Sequence, residues 1–333
     1  MYVLDKSQLP SFLEAMAAGR TVFVPAEAGG MTRFVPWQAG IQLYWEENPV
    51  ISPKELFFPQ TQVLYGYRTL GQQLEILSRD EGNSPRVIFG LRPCDAAATG
   101  IMDDVFLTKG YEDSLYRSRR QNTLLVVLAC RRPGPACFCT SFGLDPTRAD
   151  NADLMLYDLG AEWGLEAVSP AGQDLLAKPA GPVERQAAAP EFAGDFPLEI
   201  KVDHLPSGLR PMFRHQVWDI MYQKCLGCGT CTYLCPVCHC FDIQSHNRGV
   251  QGYRYRCWDS CMFSDYTLMA GGANPRPTKK ERVRNRFLHK LQFMPERYGK
   301  FGCVGCGRCV LKCPVNLDIT QVANRLAEVV ANA

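Results

Sequence analysis

Apolar and polar positions divide the chain into a strand-rich first part and a helix-rich second part. Residues 7–18 carry apolar side chains at helical spacing and predict a short amphipathic helix that Gly19 ends. Residues 21–24 predict a strand. Residues 25–80 contain many turn-forming and aromatic residues, and their pattern leaves the order of elements open.

Two continuous apolar runs predict buried strands in the first part. They cover 86–90 and 123–129, and a helix is predicted between them over 96–106. Because neither run alternates with polar residues, each strand is expected to be covered on both faces, as in a parallel sheet. Residues 153–168 predict a hairpin at the edge of that sheet. The sequence therefore predicts an α/β domain over residues 1–200.

A change in composition separates the two parts. The Ala-, Pro- and Gly-rich stretch 178–198 predicts a linker or a surface excursion. After it, apolar positions predict helices over 212–224, around 283–291 and around 319–329. The predicted fold class is therefore α+β with two domains, the second being an α-helical domain over residues 201–333.

Two matching cysteine runs dominate the second part. The first reads Cys225-Leu-Gly-Cys228-Gly-Thr-Cys231-Thr-Tyr-Leu-Cys235-Pro236. The second reads Cys303-Val-Gly-Cys306-Gly-Arg-Cys309-Val-Leu-Lys-Cys313-Pro314. Both have the spacing C-x2-C-x2-C-x3-C-P, with which bacterial ferredoxins hold [4Fe–4S] clusters through thiolates.

The runs predict two clusters with crossed ligands. The first three cysteines of such a run hold one cluster, and the fourth holds the other. The predicted ligand sets are Cys225, Cys228, Cys231 and Cys313 for one cluster, and Cys303, Cys306, Cys309 and Cys235 for the second. Because small β-rich ferredoxins place their runs much closer together, the wide spacing predicts a helical ferredoxin-like domain.

Zinc and disulfides are the alternative uses of so many cysteines. Four-cysteine zinc sites commonly use two separated C-x2-C pairs rather than two complete runs. Residues 1–19 carry Asp5 and Glu14 and do not have the apolar core of a signal peptide. We therefore expect a cytoplasmic protein whose 16 cysteines stay reduced and serve chiefly to bind metal.

Eight cysteines lie outside the runs and form two further candidate sets. The first set follows the two predicted strands and contains Cys94, Cys130, Cys137 and Cys139. Loops at the carboxyl ends of neighbouring parallel strands converge, so these thiols could meet. The second set follows the first run and contains Cys238, Cys240, Cys257 and Cys261. Each set either holds one additional cluster or consists of small buried hydrophobic residues.

The charge pattern adds one candidate electrostatic feature. Residues 274–290 are strongly basic, although the net charge of the chain is only +2. This segment is either a solvated helix face or a group of cations that offsets the negative charge of clusters. Of the histidines, only His239 lies next to predicted ligands. The balanced charge gives no indication of nucleic-acid binding, and no apolar run predicts membrane insertion.

Motifs that bind nucleotides are missing from the sequence. No G-x-G-x-x-G follows a predicted strand, and no G-x4-G-K-[ST] occurs. Gly29 and Gly30 follow a strand but lack the rest of a dinucleotide fingerprint. We therefore predict that this chain binds no flavin and no NAD(P) of its own.

Four further stretches carry a family resemblance, and they are Leu91–Asp95, Cys137–Cys139, Trp258–Cys261 and Ala270–Phe287. With these and the two runs, the chain resembles the iron–sulfur β subunit of soluble hydrogenase/sulfur reductases, a 4Fe-4S dicluster family. The iron–sulfur subunit of anaerobic sulfite reductase is related to that family, as is the similar subunit of flavin oxidoreductase–heterodisulfide reductase complexes. The resemblance is most specific over 220–318 and weaker over 86–140.

The resemblance implies a non-catalytic subunit that relays single electrons. Its partners would be a flavin/NAD(P)-binding subunit on one side and a catalytic redox subunit or a ferredoxin on the other. Cys257 departs from the family pattern, in which only the last cysteine of the Trp-Asp-Ser-Cys box is expected. The alternatives are a self-contained reductase with a catalytic cluster in the Cys94–Cys139 or Cys238–Cys261 set, and a zinc-stabilised scaffold.

Overall fold

A computed structural model describes residues 1–77, 84–177 and 182–331 of the chain. The strands are β1 (Tyr2–Asp5), β2 (Thr21–Ala28), β3 (Met31–Pro36), β4 (Thr61–Leu70), β5 (Gln73–Leu77), β6 (Arg86–Leu91), β7 (Thr123–Leu128), β8 (Leu154–Asp158), β9 (Glu162–Ala167), β10 (Val183–Glu184), β11 (Phe241–Arg248) and β12 (Gln251–Trp258).

The helices are mostly short after residue 200. They are α1 (Leu9–Ala17), α2 (Lys54–Phe57), α3 (Pro93–Leu107), α4 (Ser114–Gln121), α5 (Pro170–Leu176), α6 (Leu205–Gly208), α7 (Trp218–Met221), α8 (Thr230–Tyr233), α9 (Lys279–Leu288), α10 (Met294–Tyr298), α11 (Arg308–Leu311) and α12 (Ile319–Ala331). A π-helical segment, His289–Phe293, joins α9 to α10. None of the helices in the described part of the chain has the length and apolar character needed to cross a bilayer.

The first sheet has the strand order β10-β1-β9-β8-β7-β6-β2-β3 in the described part of the chain. Its centre is parallel, because β6 pairs with β2 and β7, and β7 pairs with β8, in the same direction. Buried apolar residues cover both faces, which confirms the predicted parallel, doubly covered sheet. The α/β character predicted for the first part of the chain is therefore confirmed.

The hairpin predicted over 153–168 forms as β8 and β9, but its predicted position at the edge of the sheet is wrong. Strand β1, from the start of the chain, pairs antiparallel with β9, and β10 pairs with β1 beyond it. Strand β10 lies within the predicted linker 178–198, of which residues 178–181 lie outside the described residues. The N-terminal strand β1 therefore covers the outer edge of β9, which the hairpin pattern alone predicts to be unpaired.

A second, antiparallel sheet has the order β11-β12-β4-β5 among the described residues. Strands β4 and β5 come from the first part of the chain, and the hairpin β11–β12 follows the first cysteine run. This hairpin was not predicted, because the second part was expected to be helical throughout. The predicted division at residue 200 falls between the two pairs of strands that this sheet joins.

The predicted helix over 212–224 is also wrong. The chain instead makes a 3₁₀ turn at Pro211–Arg214, becomes extended at His215 and forms the single turn α7. The reason is the indole of Trp218, which is 1% exposed and donates a hydrogen bond from Nε1 to Met212 O at 2.8 Å. The predicted helices around 283–291 and 319–329 do form, as α9 with its π-helical extension and as α12.

Candidate iron–sulfur centres

The first cavity lies where the two cysteine runs approach each other. It contains about 460 Å³ of empty space. The cysteines that line it are Cys225, Cys228, Cys231 and Cys313. Backbone N–H groups donate hydrogen bonds to two of these sulfurs, from Gly227 to Cys225 Sγ at 3.3 Å and from Leu317 to Cys313 Sγ at 3.2 Å. The structure therefore brings together the first three cysteines of one run and the fourth cysteine of the other.

The two runs fold alike around their glycines. Gly229 and Gly307 have φ angles of 76°, and each is followed by a single helical turn, α8 or α11. Such a positive φ is open to glycine at little cost and strained for other residues. The repeated turn places the third cysteine of each run within a helical turn and the fourth just after it.

The second predicted set also comes together. Burial raises the pKa of Cys309 well above its usual range, and the neighbouring thiolates of Cys303, Cys306 and Cys235 raise it further. Burial also raises the pKa of Cys306 to about 12, and Cys235 adds to that shift. Lys290 Nζ lies 3.3 Å from Cys235 Sγ and 2.7 Å from Gly302 O, so Cys235 of the first run lies beside the start of the second run.

A third group of thiols lies at the carboxyl ends of β6 and β7. A cavity with about 320 Å³ of empty space lies between these thiols and Cys306 of the second run. The cysteines that line it are Cys94, Cys130, Cys137, Cys139 and Cys306. Cys94 belongs to the first turn of α3 and Cys130 follows β7, so the two parallel strands bring these thiols together as expected.

The last predicted set is only partly assembled. Cys238, Cys240 and Cys261 line a cavity with about 340 Å³ of empty space. Cys257 does not line it, because Cys257 lies on β12 between its strand partners Asp242 and Thr61. A hydrogen bond from Cys261 lowers the pKa of Cys240 to about 6 despite burial.

Buried cations form one face of the basic segment 274–290. Arg282, Arg286 and Lys290 follow at four-residue steps along α9 and the π-helical segment, and each is at most 9% exposed. Lys290 donates hydrogen bonds from Nζ to Cys235 Sγ at 3.3 Å and to Gly302 O at 2.7 Å. This face of the basic segment 274–290 therefore points inward, toward the thiols, rather than into solvent.

Four cysteine thiols lie close enough to Arg286 to affect its pKa. Burial opposes its charge, but four thiolates more than offset that effect and hold the pKa of Arg286 well above its usual range. These thiolates belong to Cys231, Cys309, Cys238 and Cys235. Its Nε is buried and has no hydrogen-bond partner among the described residues. Since a buried, uncompensated cation is costly, the residues around Arg286 fit anionic iron–sulfur clusters.

Arg308 joins the second run to the third thiol group. Its guanidinium donates two hydrogen bonds to the Asp95 carboxylate, at 2.7 and 2.8 Å, and a third from Nε to Pro49 O at 2.7 Å. The side chains of Arg308 and Asp95 are 3% and 0% exposed. Because Asp95 follows Cys94 in sequence and Arg308 precedes Cys309, this ion pair fixes the spacing of two cysteine loops.

The thiols line cavities rather than converging on one point. Among residues 1–77, 84–177 and 182–331, no three ligating side chains approach closely enough to hold a single metal ion. The arrangement instead surrounds several separate volumes with three or more sulfurs each.

Comparison with known proteins agrees with this arrangement. Residues 224–317 match the family described as 4Fe-4S dicluster domain. Sulfhydrogenase 2 subunit beta of Pyrococcus furiosus is 32% identical to the chain over 289 residues, which cover 84% of this chain and 84% of the relative. The chain belongs to the sulfhydrogenase subunit beta family. The resemblance stated from the cysteine runs is therefore confirmed, while no solved structure is significantly similar to the chain.

Several residues of this family member matter to the sites and were not predicted individually. Lys54, from α2, is buried, lies 3.8 Å from the centre of the Trp258 ring and donates a hydrogen bond to Cys238 O at 3.0 Å. His289 lines the same cavity as His239 and Cys261. The sequence gives only a weak indication of these roles. A helical repeat of charges, such as the one that contains His289, does not reveal which face is buried, and Lys54 lies far from the cysteine runs in the sequence.

Substitution of Gly305 tests how tightly the second run packs against the third thiol group. Gly305 has a φ of 62°, and an added Cβ would lie 2.5 Å from the backbone of Phe138 and Cys139. We expect Gly305→Ala to destabilise the protein by about 1–3 kcal/mol more than Gly299→Ala, because overpacking is added to left-handed strain. Gly299 has a φ of 70° and open space around it. Equal denaturant midpoints for the two variants would contradict this packing.

Proposed function

We propose that this chain is the electron-transfer iron–sulfur subunit of a complex of the hydrogenase/sulfur reductase type. It relays single electrons between a redox-active partner, which is a catalytic subunit or a ferredoxin, and a flavin/NAD(P)-binding subunit. The observation that carries the proposal is the cavity lined by Cys225, Cys228, Cys231 and Cys313, which unites the two runs in the crossed manner of a two-cluster ferredoxin. The sulfhydrogenase relative supports the type of complex.

We assign two [4Fe–4S] clusters to the crossed sets, within a helical ferredoxin-like arrangement built on α8, α9 and α11. The ligands would be Cys225, Cys228, Cys231 and Cys313 for one cluster, and Cys303, Cys306, Cys309 and Cys235 for the other. We assign an additional cluster to Cys94, Cys130, Cys137 and Cys139, whose cavity Cys306 also lines. Bound clusters of this kind accept and donate one electron at a time.

The chain's own cations set the electrostatics of such a relay. Lys290 and Arg286 are buried against thiols of both crossed sets. Positive charge and hydrogen bonds to cluster sulfurs stabilise the reduced, more negative state and raise its potential. Lys290, which donates to Cys235 Sγ, is therefore expected to raise the potential at the second set.

Two surfaces give partner proteins access to the ligands. Cys228 is exposed, and its neighbour Leu226 is 63% exposed, so the first set reaches the surface. A separate cleft with about 1200 Å³ of empty space is lined by Cys137, Cys306 and Arg308. Two separate points of access suit a subunit that takes electrons from one partner and passes them to another. The many reduced thiols suit a location in the cytoplasm.

Anaerobic purification tests the relay. We expect at least about eight irons per chain for the two crossed sets and about twelve with the Cys94 set. Dithionite should reduce the protein, and NADPH should do so only when the flavin-binding subunit is present. Oxidation of NADPH by the isolated chain would favour the alternative of a self-contained reductase. A colourless protein with stoichiometric zinc would overturn the proposal in favour of a scaffold.

Crossed ligation makes a separate prediction for Cys313. Although Cys313 belongs to the second run, Cys313→Ser should disturb the cluster held by the first run, because its thiol lines the first cavity. We expect a loss of between one and about four irons, and a change in one of the two EPR signals of the reduced crossed sets. Cys257→Ser, which lies outside every thiol-lined cavity described above, is the matched control and should lose none. If both variants keep the parent spectrum, the crossed assignment is wrong.

A further inference from the structure

The cavity behind the first run differs from the predicted four-cysteine set. Among the described residues it is lined by three thiols, two histidines and two cations, and by no carboxylate. Cys238 and Cys240 come from the loop before β11, Cys261 comes from the turn after β12, and His289 and Lys290 come from the π-helical segment. Three separate segments thus place thiols and an imidazole, which are iron ligands, around one cavity.

We propose that this cavity holds a further iron–sulfur cluster bound by the thiolates of Cys238, Cys240 and Cys261 and by the imidazole of His289, and that Cys257 is not a ligand. The proposal extends the relay proposed above and rests on it. It assigns a mixed sulfur and nitrogen ligand set to a site where cysteine spacing alone indicates four thiols.

Charge in the cavity indicates an anionic occupant. Arg286 and Lys290 line it and are 5% and 4% exposed. The Nε of Arg286 is buried without a hydrogen-bond partner among the described residues. Buried cations need a counter-charge, and cluster-bound thiolates would supply it. The same two cations also face thiols of the crossed sets, so they lie between this cavity and those sets.

The π-helical segment His289–Phe293 is the second observation. Such segments are rare and occur frequently at functional sites, since the wider turn costs regular hydrogen bonding. This one brings two consecutive residues, His289 and Lys290, to the cavity wall. The His289 ring packs edge-on against His239, and no hydrogen bond to its nitrogens is found among the described residues, so they are available to a ligand.

His239 is a weaker candidate for the fourth ligand. Its Nδ1 lies 3.0 Å from Val237 O, and its ring is held edge-on between Phe106 and His289. It also lies between Cys238 and Cys240 in sequence. His239 lines the same cavity, but its Nδ1 is already close to a backbone carbonyl oxygen. His289 approaches from a different segment and completes the enclosure.

Cysteine variants of the intact complex test the site. We expect Cys261→Ser to lose between one and about four irons per chain with matching acid-labile sulfide, together with one EPR signal. Cys257→Ser should keep the wild-type iron, sulfide and spectrum. If Cys261→Ser and Cys257→Ser both match wild type while Cys313→Ser loses iron, the inference is wrong and the proposed function stands. A wild-type complex that contains no iron and no acid-labile sulfide would instead overturn the proposed function itself.

Histidine variants test the imidazole without removing a thiol. His289→Ala should leave one iron weakly held, so that mild oxidation gives the EPR signal of a three-iron cluster. His289→Cys should keep the full iron content and lower the midpoint potential of that signal, because histidine ligation raises cluster potentials. If His239→Ala, and not His289→Ala, produces the three-iron signal, the assignment to His289 is overturned. If neither changes the spectrum, imidazole ligation is overturned.

Discussion

Arg308→Leu is expected to destabilise the protein by about 3–5 kcal/mol, because it leaves the Asp95 carboxylate buried without its partner. The pair is bidentate, and both side chains are almost completely shielded from water. Anaerobic urea unfolding of the iron-loaded protein would measure the loss. The double variant Arg308→Leu/Asp95→Leu should recover much of it, since replacing both members of a buried pair by apolar residues is often close to neutral.

An exposed arginine provides the matched control for this prediction. Arg325 pairs with Glu328 on α12, and the two side chains are 65% and 60% exposed. Arg325→Leu should change stability by no more than about 0.5 kcal/mol, because exposed ion pairs contribute little. If Arg308→Leu were no more harmful than Arg325→Leu, the ion pair would not hold the second run against the Cys94 loop.

Removal of iron is expected to open the region around the two runs while the first sheet stays folded. The cores on the two faces of the first sheet are apolar and separate from the cavities. Lys290 and Arg286, by contrast, would stay buried without the cluster's negative charge, at a cost of several kcal/mol. Hydrogen exchange should show loss of protection in α9 and retained protection in β6 and β7. Unchanged protection of α9 after chelation would contradict this expectation.

Lys290→Met is expected to change the stability of the iron-loaded and the iron-free protein in opposite directions. In the iron-loaded protein, the variant loses a cation beside Cys235 and should be less stable. In the iron-free protein, it removes the charge whose burial opposes closure of this region, and the closed form should be more stable by about 1–4 kcal/mol. Lys300→Met, at an exposed lysine paired with Asp104, is the control and should change little in either state. A loss of the same sign and size in both states would mean that Lys290 does not act through cluster charge.

The sequence predicts the parts of this protein that depend on local spacing. The repeated cysteine runs, the buried strands β6 and β7 and the helix α12 all follow from short-range patterns. The meeting of Cys94 with Cys130 was also expected, because neighbouring parallel strands end at the same edge.

Features that depend on contacts between residues far apart in the sequence could not be predicted from local patterns. Strand β12 pairs with β4 across most of the chain, and no local pattern encodes that register. The same pairing places Cys257 opposite Thr61 and removes it from the cavity that contains Cys261. Likewise, the charge of Lys290 suggests solvent, and only the tertiary structure shows that it lies against Cys235.

The mixed origin of the second sheet has a consequence for biosynthesis. Strands β4 and β5 leave the ribosome long before β12, the second partner of β4, is synthesised, so one edge of β4 stays unpaired during translation. Pairing over so long a separation is slow, because a large loop must close first. The hairpin that finally covers this edge lies directly between the first cysteine run and Cys261. We therefore expect completion of the sheet and maturation of the metal centres to be coupled late events in the synthesis of one polypeptide.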